Sequence, residues 1–298
     1  MRAPLDAPAH GLRPARLKVA VAYCAALAAG LAVGWAHGTQ HPIVVAALAD
    51  VAATLVVFAF SWHHDNSSFY DPYWSLAPLP IAVYWAGLNP DGLEARQVLA
   101  LLLVTAWGVR LTANWVARWR GMGDEDFRYQ EIRARTGRWY WPASFFSIHL
   151  MPTAWVFLGL LPLYPALARP RPGLGLLDGV AAVVTLAAIA IETVADLQLR
   201  RFLRTRSSRE AALDSGLWAV SRHPNYFGEV LFWWGIFLFG LASGPGWAWT
   251  GVGAVSITLL FVLVSVPWMD RRMLARHPAW AQQLRSTSAL VPWPRKAR

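Results

Sequence analysis

One cysteine in 298 residues, Cys24, lies inside an apolar run, so the chain builds no disulfide framework and no thiolate metal cluster of its own. Charge is scarce as well. Only 15% of residues are Asp, Glu, Lys or Arg against 56% hydrophobic, a balance that excludes an ordinary soluble domain. Period-two alternation is missing, and with it any strand-turn-helix setting for a Gly-rich phosphate loop, so a Rossmann domain is excluded. In their place stand 18 tryptophans and a series of long apolar runs.

Runs of about twenty apolar residues mark membrane helices. They fall at 17–35, 42–62, 74–88, 97–117, 143–167, 176–199, 226–241 and 247–268. The expected fold is an all-α polytopic membrane protein of about eight spans. The range is seven to nine, because the third and seventh runs are short. The first run has a basic lead (Arg13, Arg16, Lys18) and a small-residue end, as a signal peptide does, but further spans follow at once and it reads as an uncleaved helix. Under the eight-span topology 23 of the 27 basic residues lie on one side, and only Arg96, Arg169 and Arg171 on the other. By the positive-inside rule both termini are cytoplasmic. The net charge of +10 then reflects topology and attraction to anionic headgroups, not nucleic acid.

Polar residues gather on the predicted cytoplasmic side. The densest motif is Ser221-Arg222-His223-Pro224-Asn225-Tyr226-Phe227-Gly228-Glu229, which leads directly into a lipid-type run. Ionisable groups at such a place are costly unless something binds them. Glu192, Asp196 and Arg200 are spaced four apart at the end of the sixth span and so share a stripe, with Arg204 and Arg206 beyond. Arg110 and Asn114 repeat the spacing in the fourth span, ahead of Arg118, and Asn225 and Glu229 do so in the seventh. Asp270 follows the eighth span, and Glu125-Asp126-Phe127-Arg128-Tyr129 follows the fourth. Convergence of arginines and carboxylates suits a large polyanionic ligand such as a dinucleotide phosphate: Arg forks grip phosphates, and carboxylates take ribose hydroxyls. Pro224 fits the first turn of a helix, whose free N–H groups favour an anion. The plain readings stay open beside this. Arg206, Arg209 and Arg276 read as topology determinants, Glu192 with Arg200 as an ion pair between helices, and Asp124, Glu125 and Asp126 as local charge balance.

Six segments carry a family resemblance from about residue 71 to 294: Asp71-Pro72-Tyr73-Trp74, Trp107-Gly108-Val109-Arg110-Leu111, residues 125–129, residues 192–199, residues 221–229, and the tail ending Leu290-Val291-Pro292-Trp293. The chain resembles the membrane steroid 5α-reductases and their uncharacterised bacterial relatives, and more distantly the isoprenylcysteine carboxyl methyltransferases. The resemblance implies a catalytic domain over 63–298, an added helical hairpin over 1–62, and residence in a bacterial inner membrane with the cofactor site facing the cytoplasm. It implies NADPH as cofactor, with Asn225 and Glu229 at the cofactor, Asp196 on a ribose, Arg204 on the phosphates and Arg110 on the pyrophosphate. Arg118, Glu192, Arg200, Arg222, His223 and Asp270 complete the candidate cofactor set. Where steroid reductases polarise the substrate ketone with a Tyr and a Glu, this chain offers Trp107 and Asp71, and in the tail Asp270 and Trp280 stand where relatives carry Glu and Tyr.

The expected activity is NADPH-dependent reduction of a carbon–carbon double bond, conjugated to a carbonyl, in a hydrophobic substrate drawn from the bilayer. Asp71 is the candidate acid, with Tyr129 or Tyr226 as hydroxyl donor. The plain alternative for Asp71 is an N-cap for a helix starting at Pro72. Two other functions are weighed: S-adenosylmethionine-dependent methyl transfer to a lipid, which would not need Arg110, Arg200, Arg204 and Arg222 together, and lipid binding or transport without turnover. Eight histidines raise a di-iron site, but His37 and His41 fall outside and His63-His64 inside, so no metal is expected. His149 reads as a packed, hydrogen-bonded histidine.

Overall fold

Apolar runs in hydrocarbon must satisfy their own backbone, and helices do so within one segment. The computed structural model describes residues 12–90, 92–169, 173–206, 208, 211–278 and 280–295. Arg171 and Arg209 lie outside the described residues. The chain is 79% helical without strands among the described residues. Among the described residues, seven stretches are long and apolar enough to cross a membrane.

In chain order the helices are α1 (Leu12–Ala36), α2 (Pro42–His63), α3 (Tyr73–Leu76), α4 (Pro78–Ala86), α5 (Ala95–Arg118), α6 (Phe127–Thr136), α7 (Tyr140–Ser144), α8 (Met151–Leu160), α9 (Leu163–Ala168), α10 (Leu176–Thr205), α11 (Pro224–Ala242), α12 (Val252–Leu260), α13 (Val266–Arg276) and α14 (Trp280–Ser286). Wider π-turns at Phe145–Leu150 and Phe261–Ser265 join α7 to α8 and α12 to α13. The third expected span differs from the rest. Residues 74–88 form α3 and α4, of four and nine residues, broken at Ala77 with Pro78 and Pro80 following. Together they reach roughly 20 Å, short of the ~30 Å of hydrocarbon. Proline without an N–H explains the break.

The chain divides into two compact units. The first holds the described residues up to Trp85 with Trp107–Phe157, so the N-terminal hairpin shares one core with the residues after it. Ala15, Val19, Ala22 and Ala26 of α1 pack with Phe69, Tyr70, Tyr73 and Trp119. Polar groups within this unit meet one another: Tyr23 donates to the Phe69 carbonyl at 2.7 Å, Thr54 and Thr153 lie 2.9 Å apart, and Tyr70 reaches Thr153 at 2.8 Å. His149, fully buried, lies 2.9 Å from Ser61 through Nε2. That is the packed histidine read from sequence.

The second unit comprises Ala86–Ala106 and the described residues from Leu158 onward. Its axis is the pairing of α10 with α11, drawn close by glycine. A Cβ at Gly228 would stand 2.7 Å from the Glu192 Cβ and 3.0 Å from the Ala188 carbonyl oxygen. Small residues of this kind let membrane helices approach backbone to backbone. Arg96, one of three basic residues counted on the opposite side, is buried: its Nε and Nη2 each donate to Asp178 at 2.7 Å, and Asp178 also accepts the Gly175 N–H at 2.8 Å, capping α10.

Removing one partner of a buried pair strands the other charge, which costs about 3–5 kcal/mol. Asp178→Ala is therefore expected to lower the unfolding temperature of the detergent-solubilised protein strongly, and the double variant Arg96→Met with Asp178→Leu to lose much less. A double variant as unstable as Asp178→Ala would show that the pair stabilises beyond its own charges.

Candidate functional site

In the first unit, the segment 66–71 and the loop 122–129 are tied by short-range polar chemistry. Asn66 accepts the Ser68 N–H at 2.7 Å and donates to the Met122 carbonyl at 2.8 Å. Glu125 accepts the Ser67 N–H at 2.8 Å and the Tyr140 hydroxyl at 3.3 Å. Arg133 pairs with Asp65 at 2.8 Å and lies 3.8 Å over the Tyr140 ring. Asp126 caps α6 by accepting the Arg128 N–H at 2.8 Å and also receives the Arg128 guanidinium at 2.9 and 3.1 Å. The loop acids therefore do more than balance charge: they fix the backbone on which Asp71 and Tyr129 stand.

Asp71 and Tyr129, 58 residues apart, meet here. The Tyr129 hydroxyl donates to Asp71 Oδ1 at 2.7 Å, and the Trp115 indole N–H donates to Oδ2 at 3.3 Å. The helix-cap reading of Asp71 is not what the fold uses, because α3 begins after Pro72 without a side-chain cap. Burial and then the Asp126 carboxylate push the Asp71 carboxyl up to about 6, against the Tyr129 hydrogen bond, the Arg128 charge and a Ser68 hydrogen bond. An acid so poised holds its proton under mildly acidic conditions and releases it near neutrality. Arg110, half-buried, and Arg118, exposed with its Nε 3.4 Å from the Asn114 carbonyl, lie on α5 in the same unit.

In the second unit α11 starts at Pro224, as its sequence predicts. Around that start the expected ligands separate into two groups. Arg222, His223 and Asp270 form one closed network. Arg222 donates to Asp270 at 2.8 and 3.3 Å and to the Thr287 and Leu284 carbonyls, His223 Nε2 lies 2.9 Å from Asp270, and the Trp280 indole donates to Asp270 at 3.1 Å. The Arg222 N–H and the Ser221 hydroxyl add bonds to the Ser288 and Leu290 carbonyls at 2.9 and 2.7 Å. Arg222, His223 and Asp270, all in the candidate cofactor set, hydrogen-bond one another here, and Arg222 also directs its donors at the tail. Their work is to pin the C-terminal segment to the start of α11. Tyr226 stacks on His223 with ring centroids 5.2 Å apart and meets Phe261 at 5.0 Å. Unlike Tyr129, Tyr226 belongs to the second unit, not to the one that holds Asp71.

The other group runs along α10 and α11. Glu192 and Asp196 are buried on the packed face of α10. Glu229 is buried too and accepts the Trp233 indole N–H at 2.9 Å, and Asn225, one turn earlier, is half-buried. One turn beyond Asp196, Leu197, Arg200, Arg201, Arg204 and Thr205 line a groove of about 390 Å³. Arg204 is exposed, whereas Arg200 Nε is buried without a hydrogen-bond partner among the described residues. A buried, unmatched guanidinium donor beside two further arginines fits an anion such as a phosphate. No group of three or more His, Cys, Asp or Glu among the described residues could hold a metal ion, so a di-iron centre has no ligand set there.

The roles of Trp115 and Trp233, and the close approach at Gly228, are not legible in the sequence. The tryptophans look like lipid-facing bulk in a chain with 18 of them, and only the fold shows which indole N–H groups meet a carboxylate.

Helices, spans and buried polar clusters together define a polytopic α-helical membrane protein. It belongs to DUF1295, a family described as proteins of unknown function, whose profile matches residues 57–287. An uncharacterised protein of Schizosaccharomyces pombe is 25% identical to it over 244 residues, covering 72% of this chain and 71% of that protein. No solved structure matches it.

Two measurements check these assignments. Because the folded Asp71 carboxyl lies above its ordinary value near 4, the stability it contributes is complete below that value and lost as pH rises through about 6. Wild type should lose up to ~3 kcal/mol of stability between pH 4 and 7.5 relative to Asp71→Asn, read as diverging unfolding temperatures; parallel curves would place the carboxyl in water. For the tail clamp, Asp270→Ala should expose the segment after residue 284 to protease while α10 and α11 stay protected, and an unchanged digestion pattern would remove the clamp.

Proposed function

We propose that this protein is an integral-membrane reductase that uses NADPH to reduce a carbon–carbon double bond conjugated to a carbonyl in a hydrophobic substrate. The observation that carries the reading is the Asp71–Tyr129 pair, an acid poised near 6 and hydrogen-bonded to a phenol at 2.7 Å. Reduction of such a bond adds a hydride at the β-carbon and a proton at the α-carbon, so it needs a donor for the carbonyl oxygen and a proton source. A reduced nicotinamide dinucleotide supplies the hydride when bound.

Protonated Asp71 donates a hydrogen bond or delivers a proton, and Tyr129 with Trp115 holds its two oxygens in fixed directions. The Arg200, Arg201 and Arg204 groove is the proposed phosphate anchor, and the buried carboxylates Glu192, Asp196 and Glu229 are the proposed partners for hydroxyl and amide groups. Placement of this face in the cytoplasm of a bacterial inner membrane, with both termini on that side, belongs to the same proposal and rests on the charge asymmetry of the eight-span topology, which requires α3 with α4 to complete an eighth crossing, since seven crossings alone would put the termini on opposite sides. The resemblance to steroid 5α-reductases supports the reaction class.

The closed Arg222–His223–Asp270 network favours a second reading. With Arg222 committed to the tail, fewer arginines remain to demand a phosphate, and S-adenosylmethionine-dependent lipid methylation needs none.

Calorimetry on the detergent-solubilised protein separates the two. NADPH is expected to bind, and Arg200→Ala or Arg204→Ala to weaken it by ~1.5–3 kcal/mol, the range of a hydrogen bond to a charged group. Binding of S-adenosylmethionine with no NADPH binding would end the reductase reading. Asp71→Asn should bind NADPH normally, depress turnover on an enone and remove the alkaline limb of its pH profile; unchanged turnover would leave Asp71 structural.

A further inference from the structure

The N-terminal hairpin carries a cavity of its own, wholly within the first unit. Residues of α1, α2, α3 and α4 enclose about 590 Å³, the size range of small-molecule sites. Its walls are apolar, and small residues such as Ala26, Gly30, Ala46 and Ala53 leave the space that larger side chains would fill. Leu31 and Trp35, which also line it, are 64% and 89% exposed, so the cavity is reached from the exposed surface of α1.

One carboxyl breaks this lining, beside the hydroxyls of Tyr23, Tyr73 and Tyr84 and the Cys24 thiol. Asp50, only 4% exposed, stands in the middle of α2. Its Oδ1 accepts the Tyr73 hydroxyl at 2.7 Å, while Oδ2 is buried with no hydrogen-bond partner among the described residues. A carboxyl oxygen at such a depth is costly unless a partner meets it. Nothing in the Asp71–Tyr129 pair or the arginine groove uses Asp50.

We infer that this cavity binds a lipophilic alcohol from the bilayer, its hydroxyl meeting Asp50 Oδ2 and its hydrocarbon body filling the space between α1 and α2. A hydroxyl both donates and accepts, so one group satisfies one carboxyl oxygen whether or not that oxygen carries a proton. An ammonium group brings three N–H donors, and among the described residues the cavity presents only this one unmatched side-chain acceptor. Rigid sterol-like and flexible polyprenol-like skeletons share the required chemistry. The site is independent of the proposed reductase activity.

Photolabelling of the full-length protein in nanodiscs tests this, with a photoreactive sterol in one arm and a photoreactive polyprenol in the other. The expected result is crosslinking by one or both probes to peptides within residues 23–35, 45–53 or 73–84. The unlabelled alcohol should compete at roughly tenfold lower concentration than the matching hydrocarbon without the hydroxyl, the scale of one hydrogen bond. Asp50→Leu should abolish that preference, and Asp50→Asn should keep it. Which probe labels the cavity identifies the skeleton. Equal competition by the hydrocarbon on wild-type protein, or labelling only outside these peptides, overturns the proposal even if Asp50→Leu fails to fold.

Discussion

Hydrocarbon offers no hydrogen bond, so every polar side chain that a membrane helix carries inward must be met from within the protein. The described structure follows this rule almost side chain by side chain. Arg96 meets Asp178, Thr54 meets Thr153, Ser61 meets His149, Glu229 meets the Trp233 indole and Arg222 meets Asp270. Most of these pairs join segments far apart in the chain, so they also specify which helices lie together. Lipid provides no hydrophobic drive for helices to associate, which leaves packing and polar pairing to do it. Gly228 against Ala188 and Glu192 is the packing half of that answer, and the buried pairs are the polar half.

The same rule marks the exceptions. Asp50 Oδ2 and Arg200 Nε, like Arg96 Nη1 and His277 Nδ1, are buried without hydrogen-bond partners among the described residues, and the first two differ in their surroundings. Both line concave spaces, one apolar and one basic. A stable protein tolerates such atoms where a ligand supplies the missing partner, since each unmatched group otherwise costs roughly 1–3 kcal/mol.

Spans were legible from sequence because length and hydropathy suffice for them: α1, α2, α5, α10 and α11 fall within a few residues of the apolar runs. Residues 74–88 were not, because prolines at 78 and 80 shorten a run whose composition alone passes for a span. The Asp71–Tyr129 meeting was legible only as two candidates, since no spacing rule links residues across three intervening helices. Arg222 shows the opposite failure. An arginine in a dense polar motif looks like a ligand-binding group, and only the path of the tail, bringing the Thr287 and Ser288 carbonyls to it, reveals where its hydrogen bonds go.

Length explains why the arginines of α10 escape that fate. Thirty residues of helix span about 45 Å, some 15 Å more than the hydrocarbon they cross. Toward its C-terminal end Glu192 and Asp196 are packed, Arg200 is half-buried and Arg204 is exposed. One stripe of side chains spaced four apart therefore passes from a dry interior to water within three turns. Carboxylates occupy its buried part and cations its open part, and the cations also suit the negative end of the helix dipole. A stripe graded in this way presents cationic donors at its open end and carboxylate acceptors at depth from a single rigid helix, which a flexible loop of the same composition could not hold in register.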